Sequence, residues 1–78
     1  MNVPEALAWI AVDFDTDPDT IRPETERTDI TGWDSMGVLA LMAGLDNEFG
    51  ILLSADDMWA MTKVEDIMEA LRKNGKLE

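Results

Sequence analysis

Apolar positions along the chain recur at helical spacing and never alternate long enough to define a strand, so the pattern predicts an all-α fold, a helical bundle. A first helix opens at Pro4, a residue suited to the first helical turn. It carries Val3, Leu7, Ile10 and Phe14 on one face, runs to about Val12 and leaves Trp9 off the stripe. From Asp13 to Gly32 the pattern breaks. Pro18, Pro23 and several Asp and Thr residues leave only Phe14, Ile21 and Ile30 as apolar anchors, so a long connection pinned at those points is expected. The second helix begins after Asp34, a good N-cap, and its stripe reads Leu39, Met42, Leu45 and Phe49, flanked by Val38 and Leu41. Gly50 follows where a left-handed C-cap belongs. Ser54 then caps a short third helix through Asp56, Asp57 and Met58 to about Met61. Thr62 with Glu65 forms a capping box for a last helix bearing Val64, Ile67, Met68 and Leu71, with Arg72 and Lys73 in its final turn and Asn74-Gly75 as its stop.

Composition narrows what such a bundle can do. Seventy-eight residues are read as one domain, 1–78, too small for a cleft between domains. The chain holds no Cys and no His, which excludes a disulfide framework, zinc-thiolate sites and Ser-His-Asp or Cys-His catalysis. Asp and Glu number 17 against 6 Lys and Arg, a formal charge of −11, which disfavours nucleic acid and anionic membranes and favours basic protein partners. The start of the chain has no basic segment before an apolar run, and the longest weakly polar stretch, Ser35 to Leu45, is far short of the roughly 20 residues of a membrane span. A cytoplasmic monomer is expected.

Two places carry candidate chemistry. Ser35 falls at the very start of the second helix, where backbone N–H groups lack intrahelical partners and the dipole favours an anion. A Ser there is often no more than a helix-start residue, yet a phosphodiester on its hydroxyl would sit in a favourable field at the end of a rigid element. The second place is Asp13, Asp15, Asp17 and Asp19 with Glu24, which has the acidic spacing of a calcium-binding loop. Pro18 stands where that loop needs Gly, and Pro23 interrupts the helix that should follow, so at most weak divalent binding is expected.

The stretch Gly32-Trp33-Asp34-Ser35-Met36, then Leu39, Leu41 and Leu45, Glu48-Phe49-Gly50-Ile51, and finally Thr62-x-Val64-x-Asp66-Ile67, resembles the acyl carrier protein family over nearly the whole chain. The resemblance implies a four-helix bundle with a long first loop and a short third helix. Ser35 would receive a 4′-phosphopantetheine arm from coenzyme A through a phosphopantetheinyl transferase, with Asp34 and Met36 beside it. Acyl groups would ride on the arm's thiol as thioesters and be presented to acyl-activating, condensing or acyltransferase enzymes of fatty-acid, polyketide or related specialised biosynthesis. The protein itself would not be a catalyst. An aminoacyl or peptidyl carrier, or an unmodified acidic binding module, are the alternatives. In many family members the second and fifth residues after the modified serine are acidic, whereas Gly37 and Ala40 stand here. Asp46 and Glu48 keep charge only at the far end of the helix. Gly37, Ala40 and Gly44 then make a small-residue stripe that either lets a partner surface or the pantetheine arm approach closely or reflects drift, and replacing its glycines with Ala is expected to stabilise the helix. Val38, Trp59 and Met36 are further expected partner contacts, Leu52 is expected near the same surface, and Trp33 is expected either there or packed against the long connection.

Overall fold

The computed structural model describes residues 1–78 and contains four helices: α1 (Val3–Asp13), α2 (Ser35–Phe49), α3 (Ala55–Trp59) and α4 (Val64–Lys73). Two 3₁₀ turns, Pro18–Thr20 and Arg27–Asp29, lie in the long connection between α1 and α2. The all-α, four-helix architecture with a long first loop and a short third helix is the one expected.

α1, α2 and α3 each start on a side chain that accepts an orphan amide of the first turn. Asn2 and Glu5 close a reciprocal box at α1, so the helix begins one residue before Pro4. Ser54 and Asp57 do the same at α3, where the Ser54 backbone N–H and then its hydroxyl hold the Asp57 carboxyl below the usual carboxylate range. At α4 the capping differs from the expected Thr62–Glu65 pair. Asp66 accepts from the backbone N–H of Thr62 at 2.8 Å and of Lys63 at 3.3 Å, because Lys63 has the extended N-cap backbone and Asp66 is therefore the third helical residue. Glu65 instead pairs with Arg72 on the exposed face.

One apolar cluster unites all four helices with the connection. Val64, Ile67, Met68 and Leu71 are all buried, as the spacing on α4 requires. On α2 the buried side is Gly37, Val38, Leu41 and Leu45, while Leu39 is 64% exposed. At 100° per residue Leu39 lies more than a quarter turn from the line through Leu41 and Leu45, so the stripe expected through Leu39 is rotated. Phe14, Ile21 and Ile30 are buried and anchor the connection. Its second half runs antiparallel to the α3–α4 junction. The N–H of Arg27 donates to the Thr62 carbonyl at 2.8 Å and that of Val64 to the Thr25 carbonyl at 2.9 Å.

Trp9, set aside by the helical pattern, forms much of the α1–α2 joint. Its ring meets Phe49 edge to face with centroids 5.1 Å apart, and its indole N–H donates to the Glu48 carboxylate.

Candidate functional site

The start of α2 is built from both sides. Asp34 has extended backbone, and its carboxylate accepts the N–H of Gly37 at 2.9 Å, so the capping oxygen is already engaged within the helix start. Ser35 is the first helical residue and is exposed. The N–H groups of Ser35 and Met36 precede the first intrahelical acceptor, so they and the helix dipole face outward beside the hydroxyl.

This turn is locked to the end of α1 by close backbone packing. A Cβ on Gly32 would lie 1.7 Å from the Phe14 carbonyl oxygen, and one on Gly37 would lie 2.0 Å from the Gly32 carbonyl oxygen and 2.9 Å from the Phe14 ring. Trp33 stacks on Phe14 with ring centroids 4.8 Å apart and an interplanar angle of 17°. The hydroxyl of Ser35 is thus presented from a rigid corner.

Several residues expected at the surface are placed otherwise. Trp33 takes the inner of its two expected places, buried against Phe14 of the connection, and its indole N–H has no partner. Gly37 and Val38 are buried too, which removes both from any partner contact: Gly37 exists for close approach to the Gly32 backbone, and Val38 belongs to the core. The stripe of Gly37, Ala40 and Gly44 is accordingly not an open docking strip. A Cβ on Gly44 would meet the Trp9 ring at 3.0 Å and the Asp13 carboxylate at 3.4 Å, so both glycines serve the approach of α1 to α2. The expectation that Ala stabilises the helix fails at Gly37, where a Cβ meets backbone; at Gly44 the Cβ meets side-chain atoms that can give by a few tenths of an ångström. Met36, Ala40, Asp46, Glu48 and Trp59 are exposed, Met36 at 80% and Trp59 at 48%. Leu39 is exposed beside Met36, a position that centring the helical wheel on Leu45 would have revealed.

A shallow open cavity of about 380 Å³ lies between the end of α1 and the start of α2, with Asp13, Asp15, Asp34, Met36 and Ala40 among its walls. No cation lines it. Asp13 is half-buried and one of its oxygens is buried without a partner. Burial first, and the charge of Glu48 second, push its carboxyl up to about 6. Asp13, Asp15, Asp17 and Asp19 do not converge on an ion site. Asp17 instead caps the 3₁₀ turn by accepting the N–H of Asp19 at 2.9 Å, and Pro18 opens that turn where a calcium loop would need Gly.

No protein-family model matches the chain. Curated relatives do. An acyl carrier protein of Solidesulfovibrio magneticus is 30% identical over 94% of this chain and 95% of its own length. The chain belongs to the acyl carrier protein family. Acyl carrier proteins of Bdellovibrio bacteriovorus and Nitratidesulfovibrio vulgaris are each 27% identical, over 94% and 92% of this chain respectively. Both alignments take in more than nine-tenths of the relative, so the likeness to acyl carrier proteins extends over the whole bundle and is not confined to the Asp34-Ser35 corner. No helix of this acyl carrier family member is long and apolar enough to cross a membrane.

Proposed function

We propose that the protein carries acyl intermediates as thioesters on a 4′-phosphopantetheine arm attached to Ser35, in a fatty-acid, polyketide or related specialised pathway of the cytoplasm. The observation that carries this reading is an exposed hydroxyl at the positive end of α2, held by the Gly32–Phe14 corner in a Gly-Trp-Asp-Ser start. The local chemistry fits the group. A phosphodiester on Ser35 Oγ would lie within the field of the free amides of Ser35 and Met36, and Asp34 keeps its own carboxylate occupied with Gly37. The arm would supply a thiol to a chain that has none.

Attachment is a displacement at phosphorus. Ser35 Oγ forms a bond to the pantetheine-bearing phosphorus of coenzyme A, the pyrophosphate bridge breaks, and adenosine 3′,5′-bisphosphate leaves. The hydroxyl proton passes to a base of the phosphopantetheinyl transferase, because this chain offers no His beside the serine. The protein is then a monomeric substrate for acyl-activating, condensing or acyltransferase enzymes rather than a catalyst.

Intact mass tests the reading. Coenzyme A and a phosphopantetheinyl transferase should add one phosphopantetheine to the chain and none to Ser35→Ala, whose helical circular dichroism should match the parent because the side chain is exposed. An unchanged parent mass, or a gain that persists in Ser35→Ala, refutes it.

A further inference from the structure

The cavity between the end of α1 and the start of α2 is rich in acceptors and poor in donors. Asp13, Asp15 and Asp34 line it, and no cation does. Asp34 is engaged by the Gly37 N–H, but Asp13 keeps a buried oxygen without a partner, and Asp15 is exposed. These carboxylates do not converge on a metal site, and together they repel an anion. An N–H donor is what they lack. The same cavity has an apolar wall of Phe14, Met36 and Ala40, and its volume of about 380 Å³ lies in the range of small-molecule sites, about 300–1,000 Å³. Its position adds a further constraint. Asp34, Met36 and Gly37 are among its walls, so any group attached to the Ser35 hydroxyl starts beside it.

Resting on the carrier reading above, we propose that this cavity is the resting place of the arm's uncharged part, whose amide N–H groups donate to Asp13 and Asp15 on the α1 side of α2. Beyond its phosphate, pantetheine carries a pair of methyl groups, a hydroxyl and two amides, and no charge. The methyl groups suit the wall of Met36 and Ala40, and the amides suit the carboxylates. The phosphodiester stays outside, at the free amides of Ser35 and Met36, where the carboxylates do not have to tolerate it. A carboxylate shares its charge over both oxygens, so a donor in the cavity relieves Asp13 whichever oxygen it meets. The cavity is shallow and would hold a free ligand weakly. A tethered one is present at an effective concentration on the order of millimolar, so weak contacts are enough. They are also weak enough to release the arm when an enzyme claims its thiol.

The test compares the unloaded chain with the chain loaded from isotope-labelled coenzyme A, loading being checked by intact mass. Nuclear Overhauser contacts from the arm's methyl and amide protons should reach the Ala40 methyl and the β protons of Asp13 and Asp15, and should be missing at Leu52 and Trp59. The Asp13 carboxyl, which burial and Glu48 of α2 push up to about 6, should titrate about 1 pH unit lower in the loaded chain, because N–H donors favour its charged form. Glu48, Asp15 and Asp34 surround it in both forms, so their influence cancels in that difference. The double change Asp13→Asn with Asp15→Asn keeps the shape of both side chains, and Asn accepts the positive φ of 50° at position 15. It should weaken the contacts to Ala40 at least about twofold by making the acceptors neutral. Val12→Ala, on an exposed residue of α1 outside the cavity, should leave them as they are. The proposal is overturned, with Ser35 modification left standing, by arm contacts at Leu52 or Trp59 instead, by none at all, by an Asp13 titration identical in the two forms, or by contacts undiminished in the double variant. Failure of the parent chain to gain mass overturns the carrier reading and this proposal together.

Discussion

Asp13 shows how one side chain can work against the fold that contains it. It sits in the last turn of α1, where the helix dipole disfavours a negative charge, with an unpartnered buried oxygen and Glu48 nearby. Its carboxyl titrates at about 6 in the folded chain, against an ordinary value of 3.8. The folded state thus holds this proton more tightly than the unfolded one. The associated stability is intact below about pH 3.8, declines as pH rises, and is gone above about pH 6. Asp13→Asn removes that penalty and should raise stability near pH 7 by about 1–2 kcal/mol, allowing for the water that reaches half of the group. Denaturant melts should show the gain shrinking to nothing near pH 4. A gain that is the same at both pH values would mean that ionisation of Asp13 is not its source.

At the level of elements, the junction of α1 with α2 rests on what is missing from its side chains. Gly37 lets the first turn of α2 touch the Gly32 carbonyl, and Gly44 leaves room for the Trp9 ring. Gly37→Ala forces backbone against backbone and should destabilise the protein by about 1–3 kcal/mol despite its better helix propensity. Gly44→Ala meets the edge of an indole instead, so it should change stability by under about 1 kcal/mol. Thermal melts of the two variants check the contrast, and equal effects would count against the backbone contact at Gly37. Helix propensity read from the sequence points the opposite way for Gly37, because a propensity scale describes an isolated helix and knows nothing of the carbonyl opposite.

Across the whole molecule, Arg27 ties the long connection to α3. Its guanidinium donates to the carbonyls of Trp59 and Met61, each at 3.1 Å, at the open C-terminal end of a helix only five residues long. A helix of that length has little stability of its own. Arg27→Ala should cost about 1.5–3 kcal/mol, and amide hydrogen exchange should show α3 losing protection well before α2 and α4. Uniform loss of protection across the four helices would show instead that α3 opens only together with the whole bundle.

The sequence by itself determined the all-α class, the long first connection with its three apolar anchors, the caps at Asp34, Gly50 and Ser54, and the buried stripe of α4. Each of these follows from local rules, namely side-chain period, capping chemistry and chain stiffness. It also singled out Ser35, through its place directly after an N-cap. Only the tertiary structure decided that Trp33, Gly37 and Val38 face inward, that Leu39 faces outward, and that Asp66 rather than Thr62 and Glu65 caps α4. Those outcomes depend on which elements meet and at what distance, a property of packing that no window along the chain contains. Four acidic residues with calcium-loop spacing stay apart for a local reason that Pro18 already signals in the sequence: a proline-led 3₁₀ turn engages Asp17 in its own cap.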